Sequence, residues 1–416
     1  MTRMKESGID WIGQIPEEWE VRPIKNIVET PVTDGPHETP VLYETGIPFL
    51  SAEAVKDGIL DFNYKRGYIS LRDHERFKKK VSPKKDDIFI VKSGATTGNV
   101  GIVTTDEIFD IWSPLALIRS TKTLAIQKYI YFYLLSTIFR AQVEFNWSFG
   151  TQQNIGMGVI ERIKVILPPI SEQERIVGIL DKKTAQLDKV KTLLEEQIQK
   201  LKDYRASLIY ETVTKGLDKT IPMKDSGIDW IGQVPQGWGV SRLKYLVEIS
   251  TGTSNTQDRS VESEGYPFFV RSQNVEKLPT YTHDTEAILT AGDGVGVGKV
   301  FHYYKGKFTA HQRVYILSNF KNIESKFLFY YVSINLKNEV SLGGAKSTVD
   351  SIRMPMLSNF MVSIPSSTEQ HNISNYLDCE IKRIQAMIEI KQNQIENIDK
   401  QRQTLIYDYV TGKRRV

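Results

Sequence analysis

Residues able to act on a substrate are present in this chain, but they do not assemble into working sets. GGAKST at 343 ends like a phosphate-binding loop, yet Val340 stands where the first glycine is required and Ala345 where a glycine must precede the lysine. GDGVGVG at 292 opens no amphipathic helix and lacks a following acidic ribose partner, so it reads as a turn. LPPI at 167 lacks the Asn or Asp and the aromatic of an amino-methylating Asn-Pro-Pro-Tyr site, and reads as a stop before a helix. Glu324 and Lys326 form an ExK pair with no Pro-Asp ahead of it, and His311, Gln312 and Arg313 read as a local polar network beside a strand. The six histidines never take HxxxH or HxH spacing. Cys379 is the single cysteine, which excludes an internal disulfide and a multi-cysteine zinc site. The expectation is a chain without catalytic residues, bound metal or cofactor of its own.

What remains is the chemistry of binding. Lys and Arg number 54 against 50 Asp and Glu, a net charge of +4 and a pI near 8.7, which permits a polyanionic partner without requiring one. Arg, Lys, Asn and Gln are the side chains that read base edges. On that chemistry the candidate contacts to a nucleic acid, if that is the partner, are Lys65, Arg66, Lys92, Gln152, Gln153 and Asn154 in the first half of the chain. In the second half they are Arg271, Gln273, Asn274, Lys299, Arg313 and Lys346. The basic run Lys78, Lys79 and Lys80 suits phosphate contact at most, since nothing fixes its geometry.

The elements that must position these residues are written twice. MKESGIDWIGQIPEEWEVRPIKNIVE at 4 returns as MKDSGIDWIGQVPQGWGVSRLKYLVE at 223, a shift of 219, and SEQERIVGILD at 171 returns as TEQHNISNYLD at 368, a shift of 197. A period near 200 is too long for a stacked solenoid and indicates two tandem domains, which tend to pack about a pseudo-two-fold axis. SGATTGNVG at 93 aligns with AGDGVGVGK at 291, so nearly all the length difference, about 21 residues, lies between Pro48 and Gly94 of the first copy. Short β-like runs at 88–91 and 314–317, and the aromatic segments KYIYFYLLST at 128 and KFLFYYVSIN at 326, predict mixed α/β domains whose aromatics belong to the cores. A fixed frame carrying two variable basic heads suits two different halves of a nucleic-acid site.

Each half ends in a long helix. Pro168 and Pro169 block helix upstream, Ser171 and Glu174 have the spacing of a capping box, and Gly216 then Pro222 stop the first copy. The apolar stripe is Leu187, Val190, Leu194, Ile198, Leu201 and Leu208, and the second copy repeats it as Ile384, Met387, Ile395, Ile398 and Leu405. A helix of about 43 residues is a rod of about 65 Å that needs a partner for its stripe, and a second copy of itself packed antiparallel supplies one. The predicted architecture is α+β: head domains at 1–168 and 220–365, and helices at 169–219 and 366–416 forming an antiparallel coiled coil. The N-terminus has no apolar signal region and no stretch approaches 18 uncharged apolar residues, so a cytoplasmic protein is expected.

The pattern as a whole resembles the specificity subunit of type I restriction-modification systems. The residues that carry it are SGIDWIGQIPEEW at 7 with SGIDWIGQVPQGW at 226, PFL at 48 with PFF at 267, and the glycine turns at 94 and 292. GTQQNI at 150, LPPISEQERI at 167, IPSSTEQHNI at 364 and the LIY segments at 208 and 405 complete it. The second copy departs in having IPSSTEQ without the Pro-Pro of the first. The resemblance implies a non-catalytic subunit in which two target-recognition domains, held apart by the helices, each read one half of a bipartite double-stranded DNA site. It also implies two modification subunits methylating adenine N6 with S-adenosylmethionine and two restriction subunits using ATP and magnesium, so those cofactors belong to partners. The reading from another class is a non-catalytic coiled-coil adaptor that binds protein or RNA; a steep loss of affinity with rising salt separates DNA binding from it.

Overall fold

The computed structural model describes residues 3–9, 12–146, 153–255, 264–342 and 351–416. Contacts divide the chain into two units, residues 1–194 with 393–416, and residues 195–392. The division runs through both long helices, Ile170–Lys215 and Ser367–Val410, so each unit holds one head domain together with the start of one helix and the end of the other. This differs from the boundaries drawn on sequence, which gave the helices domains of their own.

The second unit is the simpler. Its six-stranded sheet runs Glu248–Thr251, Val314–Ser318, His283–Ala291, Phe301–Ala310, Tyr266–Phe269, Glu276–Leu278 in spatial order. The aromatic helix Ser325–Leu342 packs on it, burying Phe327, Leu328, Tyr330 and Tyr331, so these side chains are core. The first unit has the same sheet in two pieces. Strands Thr33–Asp34, Leu115–Ile118, Ile88–Val91, Val100–Ile102, Ile59–Leu60 and Val55–Lys56 form one, and Asp110–Ile111, Ile47–Leu50 and Gly67–Ile69 the other. Strand Phe301–Ala310 is continuous where its counterpart is interrupted between Ile102 and Asp110, but the parallel pairing is kept: Ile111 faces Leu50 as Ala310 faces Phe269.

The additional residues of the first copy build a hairpin and a short helix. Asp57 and Gly58 connect Val55–Lys56 to Ile59–Leu60 with φ of 46° and 83°, the two left-handed residues a tight type I′ connection demands and the reason for Asp-Gly there. Ser70 Oγ accepts the Asp73 N–H at 3.1 Å to cap helix Leu71–Phe77, whose Phe77 ring lies 6.2 Å from Phe49.

The repeated N-terminal motif ties each head to a helix start. Trp19 is fully buried and donates its indole N–H to Glu172 at 2.9 Å; Trp238, also buried, donates to Glu369 at 3.0 Å. Both carboxylates sit in the first helical turn, where the helix dipole favours an anion. The next residue is duplicated in role too: Gln173 accepts the Ile126 N–H at 2.8 Å and donates to the Pro168 carbonyl, while Gln370 accepts the Glu324 N–H at 2.7 Å and donates to that of Pro365. The expected Ser171 cap is displaced. The first helix begins at Ile170, so Ser171 lies inside it, and the Pro169 carbonyl accepts the N–H groups of Glu172 and Gln173 instead.

Within each unit the helix segments run antiparallel. In the first, Lys191 meets Asp399 at 3.0 Å and Asp188 meets Arg402 at 3.3 Å, so numbering falls on one helix as it rises on the other. In the second, Lys391 donates to Gln197 at 2.6 Å and Arg205 to Gln385 at 3.5 Å, in the same sense. The inward positions are 184, 187, 191, 194, 198, 201, 205 and 208 on the first helix, and 381, 384, 388, 391, 395, 398, 402 and 405 on the second, in alternating steps of three and four. Leu187, Leu194, Ile198, Leu201, Leu208, Ile384, Ile395, Ile398 and Leu405 occupy this seam. Val190 and Met387 do not: they are 46% and 43% exposed, and the step of four from Leu187 and Ile384 lands on Lys191 and Ile388. Hydrophobicity pointed one residue away from where the heptad falls.

Candidate nucleic-acid interface

In each unit five turns meet at one place beside the sheet. In the second unit they are residues 252–255, 270–274, 292–297, 311–313 and 351–352. Gln312 N–H donates to the Ser254 carbonyl at 3.0 Å, His311 N–H to Phe269 at 2.9 Å, Gly292 N–H to Arg313 at 2.8 Å and Ile352 N–H to Gly292 at 2.9 Å. In the first unit the corresponding turns are residues 34–37, 51–54, 92–97, 112–114 and 153–155. Ser113 N–H donates to Pro36 at 3.2 Å, Trp112 N–H to Leu50 at 2.8 Å, Lys92 N–H to Pro114 at 2.7 Å and Gly94 N–H to Gln153 at 3.2 Å.

One residue type makes the convergence possible. A Cβ at Gly35 would lie 2.2 Å from the Ile111 carbonyl oxygen, and one at Gly252 would lie 2.0 Å from that of Ala310, closer than any side chain permits. The two glycines hold the same place in the repeat. Sequence reasoning missed them: the repeat, shifted by 219 residues on either side, sets Gly35 against Ser254, and only the strand pairing brings Gly35 and Gly252 into register.

The charged residues at the two clusters are arranged differently. In the first unit Asp34 is nearly buried and binds the ammonium groups of Lys92 and Lys80, the latter at 2.6 Å, with His37 at 3.1 Å. Burial would raise the Asp34 carboxyl, but hydrogen bonds from Lys80 and Lys92 outweigh it and hold the group below the ordinary carboxylate range. Lys92 is itself 9% exposed. Expected as a DNA contact, it is turned inward, and its charge serves to fasten the turn at 34–37. Lys80 is drawn into the same cluster and Lys78 pairs with Glu75 at 2.5 Å, so the basic run is partly consumed within the fold.

Arg66 stays exposed, with its guanidinium stacked over the Trp112 ring at 4.3 Å and Glu53 at 3.6 Å. Gln153 and Asn154 are exposed in the turn cluster, their backbone joined to Gly94 and Ser93. Lys65 is half-buried, donating to the Phe62 carbonyl at 3.2 Å and lying over the Tyr68 ring. Gln152 lies outside the described residues, as do Lys346 and the GGAKST segment.

In the second unit Asp293, within the glycine-rich turn, accepts from Arg271 at 2.8 Å and from Arg313 at 2.7 Å. Burial raises this carboxyl too, and the two arginine hydrogen bonds more than offset it, leaving it below its usual range. Gln273 and Asn274 are exposed in the turn that carries Arg271, and Lys299 is exposed just after the glycine-rich turn. His311 is buried, and its Nδ1 accepts the Arg313 N–H at 3.1 Å. Trp112, Asp34 and Asp293 were not singled out from the sequence, because their importance lies in what they hold. Among the described residues no group of three or more His, Cys, Asp or Glu is placed to hold a metal, and no helix is long and apolar enough to cross a membrane.

The duplicated chain matches a known class twice. A family model described as the type I restriction modification DNA specificity domain matches residues 16–202 and again 235–398. The chain belongs to this family. Over nearly its whole length it is similar to a putative type I restriction enzyme specificity subunit, MjaX, of Methanocaldococcus jannaschii, at 27% identity over 426 residues, 97% of this chain and 96% of that one. The EcoDI specificity subunit of Escherichia coli is 31% identical over 156 residues, 37% of this chain and 34% of its own length. A solved chain from work on complex assembly and conformational transition of the type I R-M system has the same fold, with a TM-score of 0.70 at 16% identity, covering 96% of this chain and 99% of that one.

Proposed function

We propose that this chain is the DNA-reading subunit of a type I restriction-modification assembly, with each turn cluster contacting one half of a bipartite site. The observation that carries the reading is the duplicated cluster: one backbone frame, twice, presenting different sets of Arg, Gln, Asn and Lys, in a chain that the DNA specificity family matches twice. A shared frame with unlike side chains is what two unlike half-sites require, because phosphate contacts set register while base-edge contacts carry sequence. In this reading the chain performs no chemistry. Two modification subunits dock on it and supply adenine-N6 methylation with S-adenosylmethionine, two restriction subunits supply ATP- and magnesium-dependent translocation and cleavage, and the assembly works in the cytoplasm.

The test is to reconstitute the chain with its modification subunits and sequence the methylated products of a random DNA library. A motif of two fixed halves around a spacer of constant length is expected, and binding should weaken steeply with salt. Methyl transfer by the isolated chain, or salt-insensitive binding without any motif, contradicts the reading.

A further inference from the structure

We propose that Arg271 and Arg313, held on the two oxygens of Asp293, read guanine in the half-site contacted by the second unit, with Asp293 as a positioning residue. This rests on the DNA-reading function above and adds the base that the site selects.

The first support is that both arginines are held at two points. Arg313 is fixed at its backbone by the bond from its N–H to His311 and by its carbonyl, which accepts the Gly292 N–H, while its Nη1 sits 2.7 Å from Asp293 Oδ2. Arg271 has its carbonyl against Gly296, where a Cβ would come within 2.3 Å, and its Nη1 sits 2.8 Å from Asp293 Oδ1. The turn carrying Asp293 is in turn tied to Ser351 by a β-bridge. A guanidinium anchored at both ends loses little freedom when it binds, and its plane is set before the ligand arrives.

The second support is exposure. The side chains of Arg313 and Arg271 are 55% and 39% accessible, against 25% for Asp293, so the carboxylate lies beneath and the guanidinium groups face outward. Each guanidinium has five N–H donors, and Asp293 engages one of them in the hydrogen bonds described.

The third is charge. Two cations sharing one anion leave a cluster of +1, a weaker attraction for phosphate than two separate arginines would offer. An oriented donor pair with reduced net charge suits neutral acceptors. In the major groove only guanine presents two acceptors, O6 and N7, to such a fork; adenine places a donor beside N7, cytosine presents a donor, and thymine a single acceptor beside a methyl group. The rival outcome is that the arginines clamp phosphates, which needs charge but not orientation.

The experiment uses the full chain in complex with its modification subunits and a random-library selection, with Arg313→Lys, Arg271→Lys and Asp293→Asn. First, the wild-type complex must yield a bipartite motif; if it does not, the DNA-reading function fails and the variants are not the cause. Given a motif, each Lys variant keeps the charge and loses the fork. It should lose preference at a guanine of the second half-site by about tenfold to a hundredfold, with the first half-site and the salt slope unchanged. Asp293→Asn removes a negative charge, so it should strengthen binding to unrelated DNA while weakening discrimination at the same guanines, an opposition that simple misfolding cannot produce. The inference is overturned if the second half-site contains no guanine, if the Lys variants keep wild-type discrimination, or if they weaken all sequences alike.

Discussion

At the turn cluster of the first unit, Lys92 and Asp34 have side chains only 11% and 9% accessible; at that of the second, Arg313 and Asp293 are 55% and 25% accessible. Both are cation-carboxylate pairs within the turn clusters of one duplicated frame, on different turns of it, and both carboxyls are held below their ordinary range. Their energetics differ because their surroundings do. Removing one partner from a buried pair strands a charge without solvent and costs about 3–5 kcal/mol, whereas an exposed pair is worth about 0–1 kcal/mol because water screens it. The first cluster thus uses a basic residue as a fastener and leaves Arg66, stacked on Trp112, to face outward; the second sets its basic residues on the outside with the acid beneath. A conserved backbone therefore does not dictate which of its cations face a ligand.

The contrast is most sharply broken or upheld by paired substitutions. Asp34→Asn should destabilise the first unit by about 3 kcal/mol in chemical denaturation, since Lys92 loses its counter-charge in a nearly dry position. Asp293→Asn should cost under about 1 kcal/mol. Comparable losses at both sites would mean that burial does not separate them. The pH dependence has a fixed sign: with a folded-state value below the unfolded one, Asp34 stabilises fully above about pH 4, and that contribution disappears as pH falls through its lowered folded value. In Asp34→Asn, that part of the acid dependence should vanish.

A smaller effect separates adjacent positions of the second long helix. Ile388 is buried in the seam, so Ile388→Ala should cost about 2–3 kcal/mol, while Met387, exposed one residue earlier, should change stability by less than about 0.5 kcal/mol on truncation. Equal costs, read from denaturation midpoints of the two variants, would restore Met387 to the interface.

Much of the frame was legible because it is repeated. The recurrence of the Trp19 segment at Trp238, and of Glu172 at Glu369, marked one unit written twice, although the indole–carboxylate bonds that tie head to helix were not read from it. The strands at 88–91 and 314–317 and the aromatic core helices followed from periodicity. The site was only partly legible. Arg66, Gln153, Asn154, Arg271, Gln273, Asn274 and Arg313 are brought to the turn clusters, but Lys92 is not presented outward, because Asp34, distant in sequence, captures it. Val190 and Met387 were misplaced for a related reason: their hydrophobicity is visible locally, while the heptad that excludes them is a property of the whole helix. What sequence pattern alone could not supply was which distant groups would meet.

The central claim, that one frame carries two independently acting readers, is tested most directly by exchanging one of them. Residues 30–165, which carry the first turn cluster and leave Trp19, Glu172 and both long helices intact, are replaced with the matching segment of a related chain, and the methylated motif of the reconstituted complex is sequenced. The account predicts a new first half-site with the second half-site and the spacer length unchanged. A motif altered in both halves would contradict it.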